Sequence, residues 1–298
     1  MRSLTVLSLF SGIGIARLAL DHVGISIGRY YSSEIDRYAI MIEDHHYGSR
    51  THKLGDIKNY RTWNLPKIDL IVGGSPCQGF SYSGKGLNFN DPRSALYFRF
   101  TECIRQFKPT YFLLENVVMK QEWRDVITQG LESFYPGDVY LSTINSDLVS
   151  AQSRPRNYWT NFPVTIPDDR NVCIHSIIGK DKYPAAMRGR RIRDTYPVRQ
   201  DNNRSIPIRQ FIEPRSNNKS NCVTTVAKDN VIIDVKLPGR VLASDIKYEY
   251  YTMEQTEQLQ TIPVGWTKVH GVSESQRQKL LGNAFTTDVL SHIFSFIK

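Results

Sequence analysis

Apolar and polar positions follow two different periods along the first 165 residues. Short β-branched and aromatic runs predict strands, and apolar residues spaced three and four positions apart predict helices. The predicted strands are 5–10, 29–33, 68–72, 111–114, 139–145 and 158–162, and the predicted helices are 15–23, 36–45, 95–106 and 123–134. This alternation is typical of an α/β fold with a doubly wound, mostly parallel sheet and helices on both faces.

The pattern changes after residue 163, where Pro, Asn and Arg separate short β-branched pieces such as 222–226. This region predicts a smaller domain that is mostly β or irregular. Helical periodicity returns at the C-terminus, where Val289, Ile293 and Phe296 are spaced by four and three. We expect this helix to pack on the N-terminal sheet, so that a large domain contains 1–165 together with 271–298 and a small domain contains 166–270.

The composition narrows the class of protein. The chain has 298 residues, of which 40% are hydrophobic and 11% aromatic, which is enough for such a domain pair and excludes a disordered or fibrous protein. No run approaches the about 18 apolar residues of a membrane span, and the N-terminus does not resemble a signal peptide, so we expect a soluble, intracellular protein. The four cysteines have no CxxC spacing, so neither a metal site nor a disulfide framework is predicted.

Positive charge is concentrated in one segment. The net charge is +9, and residues 170–219 contain twelve Lys or Arg side chains against four acidic ones. Such a concentration indicates a surface that binds a polyanion, with nucleic acid the favoured candidate and a solvated basic loop the alternative.

Several residues at predicted strand ends could form a nucleoside pocket. The first strand leads into a turn with Phe10, Gly12 and Gly14, where glycines let a ligand approach the carboxyl edge of the sheet. Glu34 ends the next strand, placed to accept hydrogen bonds from ribose hydroxyls, and Asp56 could bind an adenine amino group. Taken singly, each is more simply a turn glycine or a surface acid.

Two further strand ends carry candidate catalytic groups. Cys77 follows Pro76 on a glycine-rich loop, which suits an exposed nucleophile better than a buried structural thiol. Glu115 ends strand 111–114 and could donate a proton near neutral pH, although a capping or ion-paired glutamate is the alternative. Arginines at 154 and 156, with Gln152, could hold a carbonyl oxygen or a phosphate, or form an ordinary basic edge strand.

In this order the motifs resemble those of the DNA cytosine-5 methyltransferases. The resemblance spans the chain except about 165–250. In its short length, the chain is similar to the catalytic domains of the vertebrate de novo enzymes and to phage enzymes. It rests on Phe10, Gly12, Gly14, Glu34, Asp56, Pro76-Cys77-Gln78, Glu115-Asn116-Val117, Gln152, Arg154, Arg156 and Gly282-Asn283-Ala284.

The resemblance implies a Rossmann-like, S-adenosylmethionine-dependent methyltransferase sheet and a target-recognition domain within 166–270. It implies methylation of C5 of a cytosine flipped out of double-stranded DNA, in which Cys77 adds to C6, Glu115 assists at N3, and Arg154 and Arg156 position the base. S-adenosylhomocysteine would be the second product. Residues 79–93 are expected to close over the flipped base.

The resemblance also implies two sets of binding residues. For the cofactor these are Phe10, Ser11, Gly12, Gly14, Ile15, Glu34, Ile35, Asp56, Ile57, Pro76, Leu96, Asn283 and Ala284. For DNA they are Gln78, Ser81, Arg93, Gln152, Arg190, Arg191 and Arg193.

Two departures from the family pattern stand out. Ser75 replaces a phenylalanine usual in bacterial members, and Gln255 and Gln258 occupy positions of the ninth motif where Glu and Arg are usual. The first should alter packing beneath the Cys77 loop, and the second leaves the organisation of the small domain open.

Two alternative functions remain at this point. One is an RNA (tRNA) cytosine-5 methyltransferase, although the Cys-Phe-Thr motif of that branch is missing. The other is an inactive DNA-binding paralogue, although Cys77 and Glu115 are present. The expected location is the cytoplasm, either associated with the nucleoid of a prokaryote or, for a phage-encoded protein, in the host cell. A cognate restriction endonuclease is a candidate partner.

Overall fold

A seven-stranded sheet forms the larger part of the protein. The computed structural model describes residues 3–75, 95–193, 196–199 and 202–298. In this sheet the strand order is β3-β2-β1-β4-β5-β7-β6, with β1 to β5 parallel and β7 antiparallel to both neighbours. The strands are β1 (Leu4–Leu9), β2 (Ile27–Ser33), β3 (His52–Lys53), β4 (Leu70–Gly74), β5 (Tyr111–Val117), β6 (Tyr140–Asn145) and β7 (Pro155–Thr160).

Eight α-helices accompany the strands in the described residues. They are α1 (Ile15–His22), α2 (Arg37–Tyr47), α3 (Ala95–Phe107), α4 (Gln121–Glu132), α5 (His175–Ile178), α6 (Met253–Leu259), α7 (Glu274–Asn283) and α8 (Thr287–Phe294). Alternate residues of β1 enter two separate cores, because successive strand side chains point to opposite faces. Val6 packs with residues of α1, α2 and α8, whereas Leu7 packs with residues of α3 and α4. The predicted α/β fold with helices on both faces is confirmed.

Most predicted elements occur within a few residues of their expected limits. The last strand is displaced, since β7 begins at Pro155 rather than at residue 158. The short edge strand β3 was not predicted, because two exposed residues carry no hydrophobic period.

A second sheet lies in the region where the α/β pattern stops. Its order is β13-β11-β8-β12-β14, and all its pairs are antiparallel. Ala185, Met187, Ile212 and Val231 form its core. Its strands and the separate β9–β10 pair are β8 (Tyr183–Arg190), β9 (Ile192–Arg193), β10 (Tyr196–Arg199), β11 (Arg209–Pro214), β12 (Val231–Ile233), β13 (Val241–Leu242) and β14 (Tyr248–Tyr250).

The C-terminal segment returns to the large sheet, as expected. Val289, Ile293 and Phe294 of α8 are fully buried in the same core as Val6, and Ser291 Oγ donates to the Ala19 carbonyl of α1 at 3.4 Å. Helix α6 also joins this core. The domain limits at 166 and 270 stay a prediction.

Searches for two kinds of feature found nothing in the described residues. No helix there is both long and apolar enough to cross a membrane. The same residues contain no group of three or more His, Cys, Asp or Glu side chains that could hold a metal ion.

Candidate active site at the carboxyl edge of the large sheet

The turn between β1 and α1 needs a glycine at its last position. Gly14 has φ +80° and precedes α1 directly. A Cβ at Gly14 would lie 2.9 Å from Tyr47 Cε2, so a side chain would be both strained and obstructed. Helix α2 therefore supports this turn from beneath.

The Glu34 carboxylate is held in place by three backbone amides. Its Oε2 accepts from Gly12 N–H, and its Oε1 accepts from Ile35 and Asp36 N–H, each at 2.8 Å. Ile35 beside it is 72% exposed, and the space above Gly12 is open. An oriented carboxylate next to an exposed apolar side chain fits the ribose and base of a nucleoside, so the residues present suit S-adenosylmethionine.

The other expected cofactor residues divide into two groups. Asp56 and Asn283 are at least partly exposed, and Leu96 and Phe10 pack partly buried on the α3 side of the sheet. The members of a second group are buried: Ser11, Ile15, Ile57 and Ala284. Pro76 lies outside the described residues.

A buried carboxyl group beneath the turn was not predicted from the sequence. Ser32 Oγ donates to Glu43 Oε2 at 2.7 Å, and the Ser11 and Ser32 hydroxyls are also 2.7 Å apart. Burial raises the pKa of Glu43, against the opposing effect of the Ser32 hydrogen bond. This chain links α2 to the turn through side chains far apart in sequence, which explains why no local pattern revealed it.

The ends of β4 and β5 are tied together just before the Cys77 loop. Asn116 Nδ2 donates to Ser75 Oγ at 3.0 Å, so the serine at this position supplies a hydrogen bond where an aromatic ring is usual. Gly74 is paired with Glu115 across the two strands, and Glu115 Oε2 lies 3.0 Å from where a Gly74 Cβ would be. Cys77, Gln78, Ser81 and Arg93 lie outside the described residues, as does most of the expected lid.

The two expected arginines have different surroundings. Arg156 Nε is 3.0 Å from Glu115 Oε1, so these two candidates are brought together. Arg154 is only 4% exposed, and its guanidinium donates to the carbonyls of Val223, Gly282 and Ala284. Its position therefore favours a supporting role over direct contact with a base.

Gln152 is not at the surface, which corrects the expectation that it contacts DNA. Its amide donates to the Leu259 carbonyl and to Gln260 Oε1, and its own oxygen accepts from Val223 N–H. The side chain is fully buried with both ends occupied. It joins three chain segments behind the site.

A buried ion pair organises the ninth-motif region despite its unusual glutamines. Glu257, fully buried, accepts from the amides of Gly265 and Thr267 and pairs with Arg277 Nη2 at 3.3 Å. Gln255 instead forms a capping box with Thr252 at the start of α6. Both roles depend on partners that the sequence pattern did not identify.

The basic segment contributes to a cleft of about 830 Å³ on the second sheet. Arg190 lines this cleft and forms a paired contact with Glu213 at 2.6 and 2.7 Å. Arg191 Nη1 donates to the Ile206 carbonyl, and the Arg193 side chain is outside the described residues. Other basic lining residues are Arg215, Lys236 and Arg240.

Comparison with known proteins agrees with this arrangement. A family model described as C-5 cytosine-specific DNA methylase matches residues 4–298. The chain belongs to this family. The family assignment accounts for the order of the motifs from the Phe10 turn to the Gly282-Asn283-Ala284 segment.

Individual relatives match shorter parts. The type II methyltransferase M.NgoBI of Neisseria gonorrhoeae is 34% identical over 168 residues, covering 54% of this chain and 51% of the relative. The orphan methyltransferase M.SPRI of Bacillus phage SPR is 40% identical over 119 residues, covering 39% and 27%. The chain thus spans about half or less of the length of these two relatives.

A solved structure extends the likeness in fold to nearly the whole chain. The crystal structure of a Spodoptera frugiperda DNMT2 variant superposes with a TM-score of 0.66 and 20% sequence identity, covering 99% of each chain. The methyltransferase fold therefore includes the second sheet and the C-terminal helices.

Proposed function

We propose that this chain transfers a methyl group to C5 of cytosine in double-stranded DNA. The observation that carries the proposal is the junction of β4 and β5, where the Glu115 carboxylate lies over Gly74, three residues before Cys77, and pairs with Arg156. The proposed proton donor and a cation thus belong to one edge of the sheet, which is where open α/β sheets bind their ligands, and the proposed nucleophile follows β4 in the sequence.

The cofactor proposed for this edge is S-adenosylmethionine, which supplies the methyl group as an electrophile. Glu34 would accept hydrogen bonds from the ribose hydroxyls, because amides already fix its orientation. Ile35 would cover one face of the adenine, with Asp56 near its amino group. Phe10 and the turn at Gly12 would line the remainder of the pocket.

The proposed chemistry makes C5 of cytosine nucleophilic for one step. The Cys77 thiolate forms an Sγ–C6 bond while Glu115, which is protonated for this step, gives its proton to N3, and the π electron pair of the C5=C6 double bond becomes available at C5. C5 would take the methyl group as its bond to the sulfonium sulfur breaks, which leaves S-adenosylhomocysteine. The C5 proton then passes to a base, the Sγ–C6 bond breaks with its electron pair returning to Cys77, and the N3 proton returns to Glu115, which restores the ring and both side chains. Arg156 holds Glu115 in the orientation that this transfer requires.

We propose the cleft on the second sheet as a contact surface for the DNA backbone. Arg215, Lys236 and Arg240 supply positive charge there, and Arg190 lies in the same lining. Phosphates favour such a surface because their binding releases condensed counterions. An enzyme acting on DNA in this way would work in the cytoplasm, and a cognate endonuclease would be sought through its shared target sequence.

The decisive experiment combines an activity assay with covalent trapping. Purified protein is incubated with S-adenosylmethionine carrying a labelled methyl group and with duplex DNA, and methylated positions are read by bisulfite sequencing. Cys77→Ser should abolish transfer while cofactor binding remains measurable. A duplex containing 5-fluorocytosine within a methylated target should form a covalent adduct with the wild type and none with Cys77→Ser.

The same assay separates the alternatives. Label transferred to tRNA and not to duplex DNA would identify an RNA methyltransferase. DNA binding with neither transfer nor a trapped adduct would identify an inactive paralogue. Transfer retained by Cys77→Ser would contradict the proposed nucleophile.

A further inference from the structure

Four side chains form a compact charge cluster behind the proposed active site: Glu115, Arg154, Arg156 and Cys222. Arg154 Nη1 lies 3.1 Å from Cys222 Sγ, and Arg156 Nη2 lies 3.7 Å from the same sulfur. Arg156 also pairs with Glu115 through Nε. The sulfur is therefore shared by both guanidinium groups, and Arg156 lies between two potential anions.

The cluster has one negative charge for two positive charges if Cys222 is a neutral thiol. Two guanidinium groups then face one carboxylate, and within the described residues Glu115 is the only carboxylate at ion-pair distance from either of them. The Arg154 side chain has three carbonyl partners, but carbonyls carry no net charge. A buried guanidinium without a counter-ion is costly, so a second anion is expected.

The hydrogen bonds around Cys222 favour the sulfur as an acceptor. Its sulfur is 3.3 Å from the Val223 carbonyl, which has room for a thiol proton beside the bond from Arg154 Nη1, but two guanidinium groups donate to the sulfur itself, at 3.1 and 3.7 Å. Burial raises the pKa of the Cys222 thiol, but the two arginines outweigh this effect and the net shift is downward. Tyr158, the other titratable group acting on Arg156, is kept neutral because burial raises its pKa.

We propose that Cys222 is a thiolate that acts as the counter-ion of Arg154 and Arg156. It is a positioning residue, since it holds Arg156 between two anions and so fixes the arginine that orients Glu115. The charge state does not depend on the proposed function. The positioning of Glu115 for proton transfer rests on that function.

The charge state can be measured without any activity assay. Wild-type protein is treated with iodoacetamide across a range of pH, and the alkylation rate of each cysteine is followed by mass spectrometry of tryptic peptides. The four cysteines fall in separate peptides, 68–85, 100–105, 171–180 and 220–228. Cys173 is the internal control, because its sulfur accepts no guanidinium hydrogen bond in the described residues, and like Cys222 it is partly exposed.

We expect the pH midpoint for alkylation of Cys222 to lie below that of Cys173. Arg156→Gln should move the Cys222 midpoint upward and leave the Cys173 midpoint unchanged. A midpoint for Cys222 equal to or above that of Cys173 would overturn the proposal, because a neutral buried thiol titrates at higher pH.

A pair of variants distinguishes a counter-ion from a simple packing role. Cys222→Ser keeps the size but not the charge, whereas Cys222→Asp restores a negative charge. A counter-ion role predicts that Cys222→Asp has the higher melting temperature at pH 7 and the smaller loss of kcat. If Cys222→Ser is the more stable variant, the sulfur serves only as packing and the proposal is wrong.

The outcome is separable from that of the proposed function. Alkylation and melting report the charge of Cys222 even if the chain methylates no cytosine. Conversely, methylation with a neutral Cys222 would retain the proposed function and reject only this inference.

Discussion

At the scale of single residues, buried polar groups fix the position of the exposed ones. Glu43 has one oxygen bonded to Ser32, and the part of the chain that the structure describes offers no hydrogen-bond partner for the other. Such a group disfavours its own ionisation, since a buried charge needs compensating partners. The hydrogen bonds from Glu43 through Ser32 to Ser11 therefore support the turn between β1 and α1. They also make the free energy of unfolding depend on pH, because the buried Glu43 carboxyl resists ionisation.

Replacing Glu43 by glutamine should remove that dependence. Because the folded protein holds the Glu43 proton more tightly than the unfolded chain does, stability falls as pH rises above about 4.5, by at most about 1.4 kcal/mol per pH unit. Glu43→Gln keeps an acceptor for Ser32 but has no proton to lose. The free energy of unfolding, measured with denaturant between pH 4.5 and 8, should therefore vary less with pH in Glu43→Gln than in the wild type. Exposed Glu132→Gln is the control, and parallel curves for wild type and Glu43→Gln would reject the assignment.

Glu115→Gln tests the proton donor at the same scale. Glutamine can still accept a hydrogen bond from Arg156 through its oxygen, but it supplies no proton to N3. We expect kcat to fall by about 10² to 10⁴, as for loss of a general acid, with DNA affinity little changed. Single-turnover methylation and binding titrations measure the two effects, and an unchanged rate constant would exclude the acid role.

At the scale of elements, the end of α7 is held against the segment that carries Cys222. A Cβ at Gly282 would overlap the Thr224 carbonyl carbon and the Thr225 nitrogen. Both are backbone atoms, so neither can move as a flexible side chain would. Arg154 donates to the Gly282 carbonyl at the same place, which links this contact to the charge cluster.

Gly282→Ala should therefore destabilise the protein by about 1–3 kcal/mol or more, since one methyl group must displace packed backbone. Gly239→Ala is the matched control, because nothing lies within 4 Å of its Cβ position. Thermal and denaturant unfolding compare the two. Equal stability of both variants would mean that the segment at 224 moves away easily.

The sequence was sufficient for these elements but not for the contacts between them. The pattern of apolar residues located β1, β4 and β5 to within three residues, because each is a short, buried run bounded by turn residues. The motif at 282–284 was recognised, yet its close contact with Thr224 joins residues far apart in the chain. Gln260 shows the same limit: it bonds Gln152 and the Leu281 carbonyl at once, and no local pattern predicts such a link.

At the scale of the whole molecule, the proposed catalytic pair and the proposed DNA-binding cleft belong to different sheets. Glu115 and Arg156 lie at the carboxyl edge of the large sheet, and the basic cleft lies on the second sheet. The sequence predicted the basic character from charge counts alone, and it favoured Arg190, which lines the cleft, and Arg191, which donates to the Ile206 carbonyl. Lys236 and Arg240 lie beyond the segment whose charges were counted and were missed for that reason.

Salt dependence of DNA binding tests this division. If Lys236 and Arg240 each contact one phosphate, the double variant Lys236→Gln/Arg240→Gln should lower the slope of log K against log salt by about 1.8, because each neutralised phosphate contributes about 0.9. The control removes two exposed charges from the amino-end side of the large sheet, Arg29→Gln/Lys67→Gln, and changes net charge equally. Equal slopes for the two double variants would show that net charge, not the cleft, governs binding. A lower slope for the cleft variant, with kcat on saturating DNA unchanged, would place the phosphate contacts on the second sheet and leave the chemistry to the first.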